Sequence, residues 1–172
     1  MSRLSDIEIL GGSYGEIRDQ DYDTRRFHAH HLISKETWKR VGEQIADDYG
    51  ITRYNEFITT DMDQEWAPAI LMEWEDHEMT RSFFGPHMTR RERELAEDQI
   101  DYESEVLFEE GDVMALLNQE CADIRRKFGR KYDRAIGQMF GSIKGQFRRQ
   151  GNVLIIYDMD TGYYVKFRYG LQ

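Results

Sequence analysis

Four of the five histidines in this chain lie in two short segments whose residue types are suited to catalysis. His28, His30 and His31 fall within the apolar stretch of residues 27–33, and His77 follows an acidic pair further along the chain. Imidazole is the commonest metal ligand and the only unperturbed side chain that changes charge near neutral pH. Neighbouring histidines can therefore divide metal coordination and proton transfer between them.

The expected strand geometry separates these histidines. Successive side chains of a strand point to opposite faces, so His28 and His30 share one side and His31 faces the other. Adjacent histidines still serve one site where the strand ends or bends. This division suits phosphodiester hydrolysis, because a neutral imidazole takes the proton from an attacking water while a divalent cation stabilises charge on the phosphate. His77, at the start of a following helix, is placed to supply a second metal ligand, whereas His28 is interpreted as structural.

The length and composition predict one compact domain. The 172 residues are 40% hydrophobic and 13% aromatic, enough for a substantial core. The single cysteine, Cys121, cannot form an internal disulfide and lies on an apolar helical stripe, which favours a buried, unreactive thiol. Residues 1–10 lack a signal-peptide pattern, and no stretch approaches about 18 apolar residues. We expect a chain that spans no membrane and is cytoplasmic, or that is the terminal piece of a longer protein that supplies delivery.

Charge is distributed unevenly along the chain. The net charge of −10 opposes binding to a polyanion. Residues 41–120, however, hold 22 acidic against 5 basic residues, a balance of −17, whereas residues 121–149 hold 2 acidic against 9 basic residues, a balance of +7. The basic tract is typical of a solvated helix face and is also able to follow phosphates. The acidic half is suited to a basic partner protein.

Periodicity predicts how the histidines are positioned. Residues 27–33 are typical of a strand, and a helix capped by Ser34 is expected to end at Gly50. Residues 67–74 resemble a second strand, followed by a short helix over residues 77–83 that Asp76 caps. The order is therefore strand, insert, strand, helix.

The C-terminal half is predicted to be mostly helical. One helix is expected after Thr89 to about Phe108, a second from Asp112 to before Gly129, and a third over residues 132–149. Residues 153–169 are typical of a β-hairpin. The fold class is therefore α+β in a single domain, with a histidine-bearing core at about 26–84, a helical region at about 89–149 and the hairpin at 153–169.

Two motif-like segments are interpreted as turns. The glycine-rich residues 11–15 lack the lysine and the spacing of a phosphate-binding loop. Residues 158–162 have part of a calcium-loop pattern but no downstream glutamate, so a hairpin turn is favoured.

Several pieces of the chain, taken in order, carry a family resemblance. They are Gly12-Ser13-Tyr14-Gly15-Glu16-Ile17-Arg18, the pair His30-His31, Pro68-Ala69-Ile70-Leu71-Met72 running into Asp76-His77-Glu78-Met79-Thr80, and the segment from Asp123 to Ile136. With these pieces, over about residues 11–141, the chain resembles the HNH/endonuclease VII nuclease domains found at the C-termini of bacterial polymorphic toxins.

The resemblance implies a ββα-metal core with His31 as general base and His30 and His77 as metal ligands. It also implies that Glu16 and Arg18 support the site or contact phosphate. This sequence lacks the proline-containing loop that usually follows the histidine pair, and an insert widens the spacing to the later ligand. Arg81 stands where colicin-type relatives have a further histidine, which leaves Asp76, His87 or water as the remaining ligand. A mixed nitrogen and oxygen shell would suit Mg, Mn, Zn or Ni.

The function expected from the residues and the resemblance together is metal-dependent endonuclease activity in an antibacterial toxin module. DNA is favoured over RNA as substrate, and the family implies a cognate immunity protein. The residues expected to contact the nucleic-acid backbone are Arg125, Arg126, Lys127, Arg130 and Lys131. Two alternatives stay open: an inactive nuclease-like scaffold that binds a basic protein through its acidic surface, and a metal-dependent hydrolase of a different phosphoester.

Overall fold

A computed structural model describes residues 3–81, 83 and 85–171 of the chain. The described residues form a mixed α+β fold with two small antiparallel sheets of three strands each. A short 3-10 helix, Leu4–Asp6, precedes the first sheet. The predicted α+β class is therefore confirmed.

The first sheet carries three of the histidines. It contains β1 (Gly11–Ser13), β2 (Phe27–His31) and β3 (Pro68–Glu73) in the order β1-β3-β2. β3 is the central strand and is buried over almost its whole length, because both neighbours and the helices cover it. In the β2–β3 register, His30 lies opposite Ile70 and His31 opposite Ala69.

The prediction of a simple turn at residues 11–15 is wrong. Those residues form β1 and the first turn of α1 (Tyr14–Arg18), whose N-terminus the Ser13 hydroxyl caps by accepting the Glu16 backbone N–H. A Cβ on Gly11 would lie 1.9 Å from the carbonyl oxygen of Ala135. The glycine therefore permits close contact with a helix from the far end of the chain, which a local pattern does not reveal.

The predicted insert between the two histidine-bearing segments is present. It contains α2 (Lys35–Tyr49), preceded by Ser34 and ended by Gly50 at φ 72°, and the short α3 (Glu56–Thr59). After β3 the chain enters α4 (Trp74–His77). The predicted helix over 77–83 is thus displaced: α4 begins three residues earlier, with Glu73 rather than Asp76 at its N-cap, and ends at His77. Beyond His77 the backbone tightens into turns, because the Met79 and Thr80 N–H groups bond to carbonyls three residues back.

Two of the three long C-terminal helices lie where the sequence predicts them. In α5 (Arg90–Glu110), Thr89 and Glu92 form a reciprocal capping box. In α6 (Val113–Phe128), the Asp112 carboxylate accepts the Ala115 N–H. The buried Glu103 of α5 accepts hydrogen bonds from the Ser34 N–H and the Thr37 hydroxyl, and so fixes α5 against the start of α2.

The third helix is shorter than predicted. α7 (Asp133–Ser142) ends before Gly145, which adopts φ 82°, and the chain then forms a strand. The second sheet therefore has three strands, β4 (Phe147–Gln150), β5 (Val153–Tyr157) and β6 (Tyr164–Arg168), rather than the hairpin alone. The β5–β6 hairpin itself is confirmed. The signal for β4 is the Gly151-Asn152 turn that separates it from β5.

The core spans both sheets and the helices between them. Trp38 of α2 packs edge-on against Trp66 at 4.8 Å and stacks with Phe147 of β4 at 5.8 Å between ring centroids. Cys121 is buried within this core, and burial raises the pKa of its thiol to about 12. Within the described ranges, the helices are each too short or too polar to cross a bilayer.

Candidate functional site

A cavity of about 800 Å³ opens between the first sheet, α2 and α5. Four histidines line it: His28, His30 and His31 from β2, and His77 from the end of α4. Aromatic, acidic and basic side chains of the surrounding elements complete the wall, among them Tyr14, Lys35 and Trp74.

The structure brings His77 against two histidines of β2. The ring centroid of His77 lies 4.7 Å from that of His28 and 5.1 Å from that of His30. β3 runs antiparallel beside β2 and leads directly into α4, which turns His77 back over the same strand. Trp74 closes this group, with its ring 4.3 Å from His28 and its Nε1 donating to the carbonyl of Thr24.

His31 points to a different part of the cavity. Its ring stacks on Tyr14 at 4.1 Å with an angle of 17° between the planes. Its Nε2 lies 3.3 Å from the carbonyl oxygen of Gln64. Because a carbonyl only accepts hydrogen bonds, Nε2 carries the proton in this contact, and hydrogen bonding to the backbone of Gln64 and Asp63 partly offsets the effect of burial on the pKa of the ring.

The loop that holds His31 has an unusual backbone. Gln64 has φ 54°, which makes it the one described non-glycine residue with positive φ, and it is buried. The Asp61 carboxylate enforces this shape by accepting the backbone N–H groups of Asp63, Gln64 and Glu65 at 2.7 to 3.1 Å. Sparsely populated backbone conformations occur preferentially at functional sites, where the surroundings stabilise them.

Burial keeps the histidines neutral at pH 7. It lowers the pKa of His31 to about 4 and that of His77 to about 3, and it places the pKa of His30 well below its usual range. The pKa of His28 is also lowered by burial, with a smaller contribution from the positive charge of Lys35. Neutral imidazole is the form that binds metal ions and accepts protons.

Three buried imidazole nitrogens have no hydrogen-bond partner among the described residues: His28 Nδ1, His30 Nε2 and His77 Nδ1. An unsatisfied buried polar atom typically costs about 1–3 kcal/mol, so three in one cluster require an explanation. Nitrogen lone pairs of neutral imidazoles are the donors that Zn²⁺ and similar ions use. In the described part of the chain, no group of three or more His, Cys, Asp or Glu side chains is arranged so that it could hold a metal ion. The imidazole nitrogens are of the donor type that such an ion uses, and metal binding at this cluster stays a proposal.

Asp76, predicted as a ligand, is engaged elsewhere. Its Oδ2 accepts hydrogen bonds from the Lys131 ammonium and the Tyr132 hydroxyl, each at 2.6 Å. His87, the other suggested ligand, is exposed and does not line the cavity. Arg81 points towards α6, with its Nε 3.8 Å from carboxylate oxygens of both Glu120 and Asp123.

Glu16 and Arg18 lie outside the cavity wall. Glu16 is exposed and accepts a hydrogen bond from the Ser13 hydroxyl at 3.1 Å. Arg18 donates to Glu65 at 2.7 Å, and its guanidinium lies 5.7 Å from the centre of the Tyr14 ring. Arg18 therefore reaches the site only through Tyr14, the residue that stacks on His31.

The basic tract lies behind α4 rather than in the cavity. Much of its charge is used in ion pairs: Arg125 with Asp133, Arg126 and Lys127 with Asp123, and Lys131 with Glu73 and Asp76. Arg130 is exposed. The tract holds the segment around His77 in place, and Lys127 also donates to the Met79 carbonyl at 2.9 Å.

The cavity wall includes residues that the sequence does not single out. The sequence favours a structural role for His28, and the structure places it in the cavity wall beside His77, on the face of β2 that strand alternation gives it in common with His30. Tyr14 and Gln64 have no local signal, because each reaches His31 through a tertiary contact, and Lys35 is a further basic residue that lines the cavity close to them.

Comparisons of the chain with models of protein families, with curated proteins and with solved structures found no match in any of the three. The resemblance to HNH/endonuclease VII nucleases therefore stays a prediction.

Proposed function

We propose that this chain is a metal-dependent endonuclease that hydrolyses phosphodiester bonds of nucleic acid, with DNA favoured over RNA, as an HNH/endonuclease VII-type toxin module. The observation that carries the proposal is the arrangement of the four cavity histidines. Three neutral imidazoles with unpartnered nitrogens lie together, and a fourth histidine, His31, lines the same cavity. The order β2, β3, α4 supports a ββα-metal core.

His31 is the general base in this proposal. The Gln64 carbonyl holds the proton on Nε2, so Nδ1 takes the proton from the attacking water. The stacked Tyr14 ring fixes the plane of the imidazole. A neutral base is required at the start of the reaction, and burial ensures that His31 is neutral at pH 7.

His30 and His77 would hold the divalent metal ion. When bound, such an ion supplies positive charge that stabilises the phosphate and the leaving oxygen. Both side chains are more than nine-tenths buried, so they would hold the ion with little access to bulk water.

Lys35 is the residue of this chain best placed to orient the substrate phosphate. It lines the cavity at the start of α2, and its positive charge contributes to lowering the pKa values of His28 and His31. Its Nζ lies 3.7 Å from a carboxylate oxygen of Asp63, an exposed pair that a phosphate would compete with. The Ser34 hydroxyl beside it is buried without a partner in the described residues. We assign phosphate contact to this pair, since the basic tract at 125–131 does not line the cavity.

A second candidate function is binding of a basic protein without catalysis. Tyr49, which follows Asp47 and Asp48 at the C-terminal end of α2, and the next residues Ile51 and Tyr54 are about half exposed or more. Aromatic side chains are enriched at protein–protein interfaces. A cognate immunity protein remains a proposed partner for such a surface.

The test compares the wild type with His31→Ala and with His87→Ala as the matched control. Each is incubated with supercoiled DNA and with total RNA, with divalent metal or with chelator. We expect metal-dependent cleavage by the wild type and the control, and a rate lower by about 10² to 10⁴ for His31→Ala, the usual contribution of a general base. Circular dichroism checks that both variants fold. Equal cleavage by all three proteins would refute the assignment of His31, and an absence of metal-dependent cleavage by the wild type would refute the nuclease.

A further inference from the structure

We propose that the outer face of the second sheet binds a single strand of nucleic acid, with basic side chains on the phosphates and a tyrosine ring against a base. The residues of this face do not line the histidine cavity, so the site is separate from the proposed site of cleavage. Its occupant is recognised by charge and by stacking, and its test therefore needs neither metal nor cleavage.

The register of β4, β5 and β6 defines the two sides of this sheet. Residues directly opposite one another on neighbouring strands share a side. Leu154 and Phe167 are such a pair, and both belong to the core. The other side, which we call the outer face, carries among others Arg148, Ile155, Tyr157, Tyr164, Lys166 and Arg168.

The outer face is apolar along its centre and basic along its edges. Ile155 of the central strand is 6% exposed, although it lies outside the core cluster. Its partners on the two edge strands are Arg148 and Lys166, and both are exposed. Long basic side chains cover apolar surface with their alkyl stems while their charges stay in water. The charges of this face are therefore presented to solvent.

The cations of the outer face are free to bind an anion. In the part of the chain that the structure describes, Arg148, Lys166 and Arg168 form no ion pair, whereas most cations of the tract at 125–131 are paired with carboxylates. Residues 147–168 hold four basic and two acidic residues in a chain of net charge −10. An anionic partner is therefore attracted to this face and repelled by most of the remaining surface.

The tyrosines of the outer face favour an unpaired strand. Tyr164 is 51% exposed, and its ring lies 5.5 Å from that of Tyr157 opposite it. An exposed ring beside cations stacks on the bases of a single strand, whatever their sequence. A double helix keeps its bases stacked on one another, and an acidic polypeptide has none, so neither uses the ring in this way.

The strand geometry sets the separation of the cations. Neighbouring strands lie about 4.8 Å apart, which places Arg148 and Lys166 about 10 Å apart across β5. Arg168 follows Lys166 on the same side of β6 at about 7 Å. Long, flexible side chains at these separations can each reach a different phosphate of one strand. A strand that crosses the sheet would thus meet three cations and a tyrosine ring.

The test measures the fluorescence anisotropy of labelled oligonucleotides of about 12 nucleotides, within the usual size range of such sites, with chelator present to prevent cleavage. The probes are single-stranded DNA, single-stranded RNA of the same sequence and the DNA duplex, with polyglutamate as an acidic competitor. We expect both single strands to bind more tightly than the duplex and to resist displacement by polyglutamate. Three phosphate contacts predict that Kd rises with about the second power of the salt concentration.

Variants separate stacking from charge. Tyr164→Ala should weaken single-strand binding by about 5- to 150-fold without changing the salt exponent, and Tyr164→Phe should bind like the wild type, because the ring and not the hydroxyl stacks. Lys166→Gln should lower the salt exponent by about 0.7, the share of one phosphate contact on a single strand. The matched controls are Tyr102→Ala in α5 and Lys39→Gln in α2, exposed residues outside the sheet, and both should bind like the wild type. Circular dichroism checks that each variant folds.

Four results would each overturn the inference: no single-strand binding by the wild type, equally tight duplex binding, displacement by polyglutamate, or wild-type affinity in Tyr164→Ala. Loss of binding in Lys35→Ala alone would place the strand in the cavity instead. The nuclease is judged by cleavage, which is a separate readout. Single-strand binding at the outer face without any cleavage would leave this site standing and refute the nuclease, whereas cleavage by a protein that fails the binding test would do the opposite.

Discussion

The strongest physical consequence of the buried histidine cluster is a loss of stability in acid, and His77 isolates it. Burial lowers the pKa of His77 to about 3 in the folded protein, whereas histidine in an unfolded chain has a pKa of about 6.5. Below pH 6.5 the unfolded chain therefore gains a proton that the folded protein does not. The free energy of unfolding is therefore unaffected by this histidine above pH 6.5, and it decreases progressively as the pH falls from 6.5 towards 3.

The size of the effect follows from these two values. Each pH unit within this range lowers the free energy of unfolding by about 1.4 kcal/mol per histidine, and the total for His77 between pH 7 and pH 5 is about 2 kcal/mol. The lowered pKa of His31 also reduces the free energy of unfolding as the pH falls. Glu120 has the opposite effect, because burial raises the pKa of its carboxyl to about 7 and the folded protein takes up a proton there before the unfolded chain does. A comparison of two proteins that differ only at position 77 removes both contributions.

The assay is urea unfolding of the wild type and of His77→Gln at pH 7, 6 and 5, with chelator present so that metal binding does not contribute. Glutamine is polar and does not titrate, so it serves as the matched replacement. We expect the wild type to lose about 2 kcal/mol more than the variant between pH 7 and pH 5. Parallel pH profiles would show that His77 is protonated or solvated in the folded protein, and would refute the description of the cluster as neutral and buried.

Three further substitutions test the elements that position the site. Gly11→Ala should destabilise the protein by about 3 kcal/mol or more, because the added Cβ would lie 1.9 Å from the carbonyl oxygen of Ala135. The control is Gly137→Ala in α7, where no atom lies within 4 Å of the added Cβ, and it should stabilise the protein by about 0.5–1 kcal/mol. Urea unfolding measures both, and equal effects would contradict the close contact between β1 and α7. Asp61→Ala should lower the free energy of unfolding by about 1–2 kcal/mol, because it removes the acceptor of three backbone N–H groups. It should also slow cleavage, because the loop that carries Gln64 would no longer hold the ring of His31. Unfolding and initial rates measure the two effects, and an unchanged cleavage rate would show that the loop does not orient the base.

Elements whose signals are local were predictable. The ends of α2, α5 and α6 lie close to their predicted positions, because a capping side chain or a glycine acts within one turn of the residues it stops. The sequence predicted a turn where β1 lies, placed α4 three residues too late, and extended α7 through the residues that form β4. Each of these depends on a partner distant in sequence, such as the contact between Gly11 and Ala135.

The sequence by itself determined the α+β class and the strand that carries three histidines. Only the tertiary structure decided that His28 belongs with His30 and His77, that Asp76 is held by Lys131 and Tyr132, and that the basic tract lies outside the cavity. The physical reason is that residue type and spacing describe which donors a segment offers and which face it offers them on. Which donors meet, and which are already paired, depends on burial and on contacts between elements far apart in the chain.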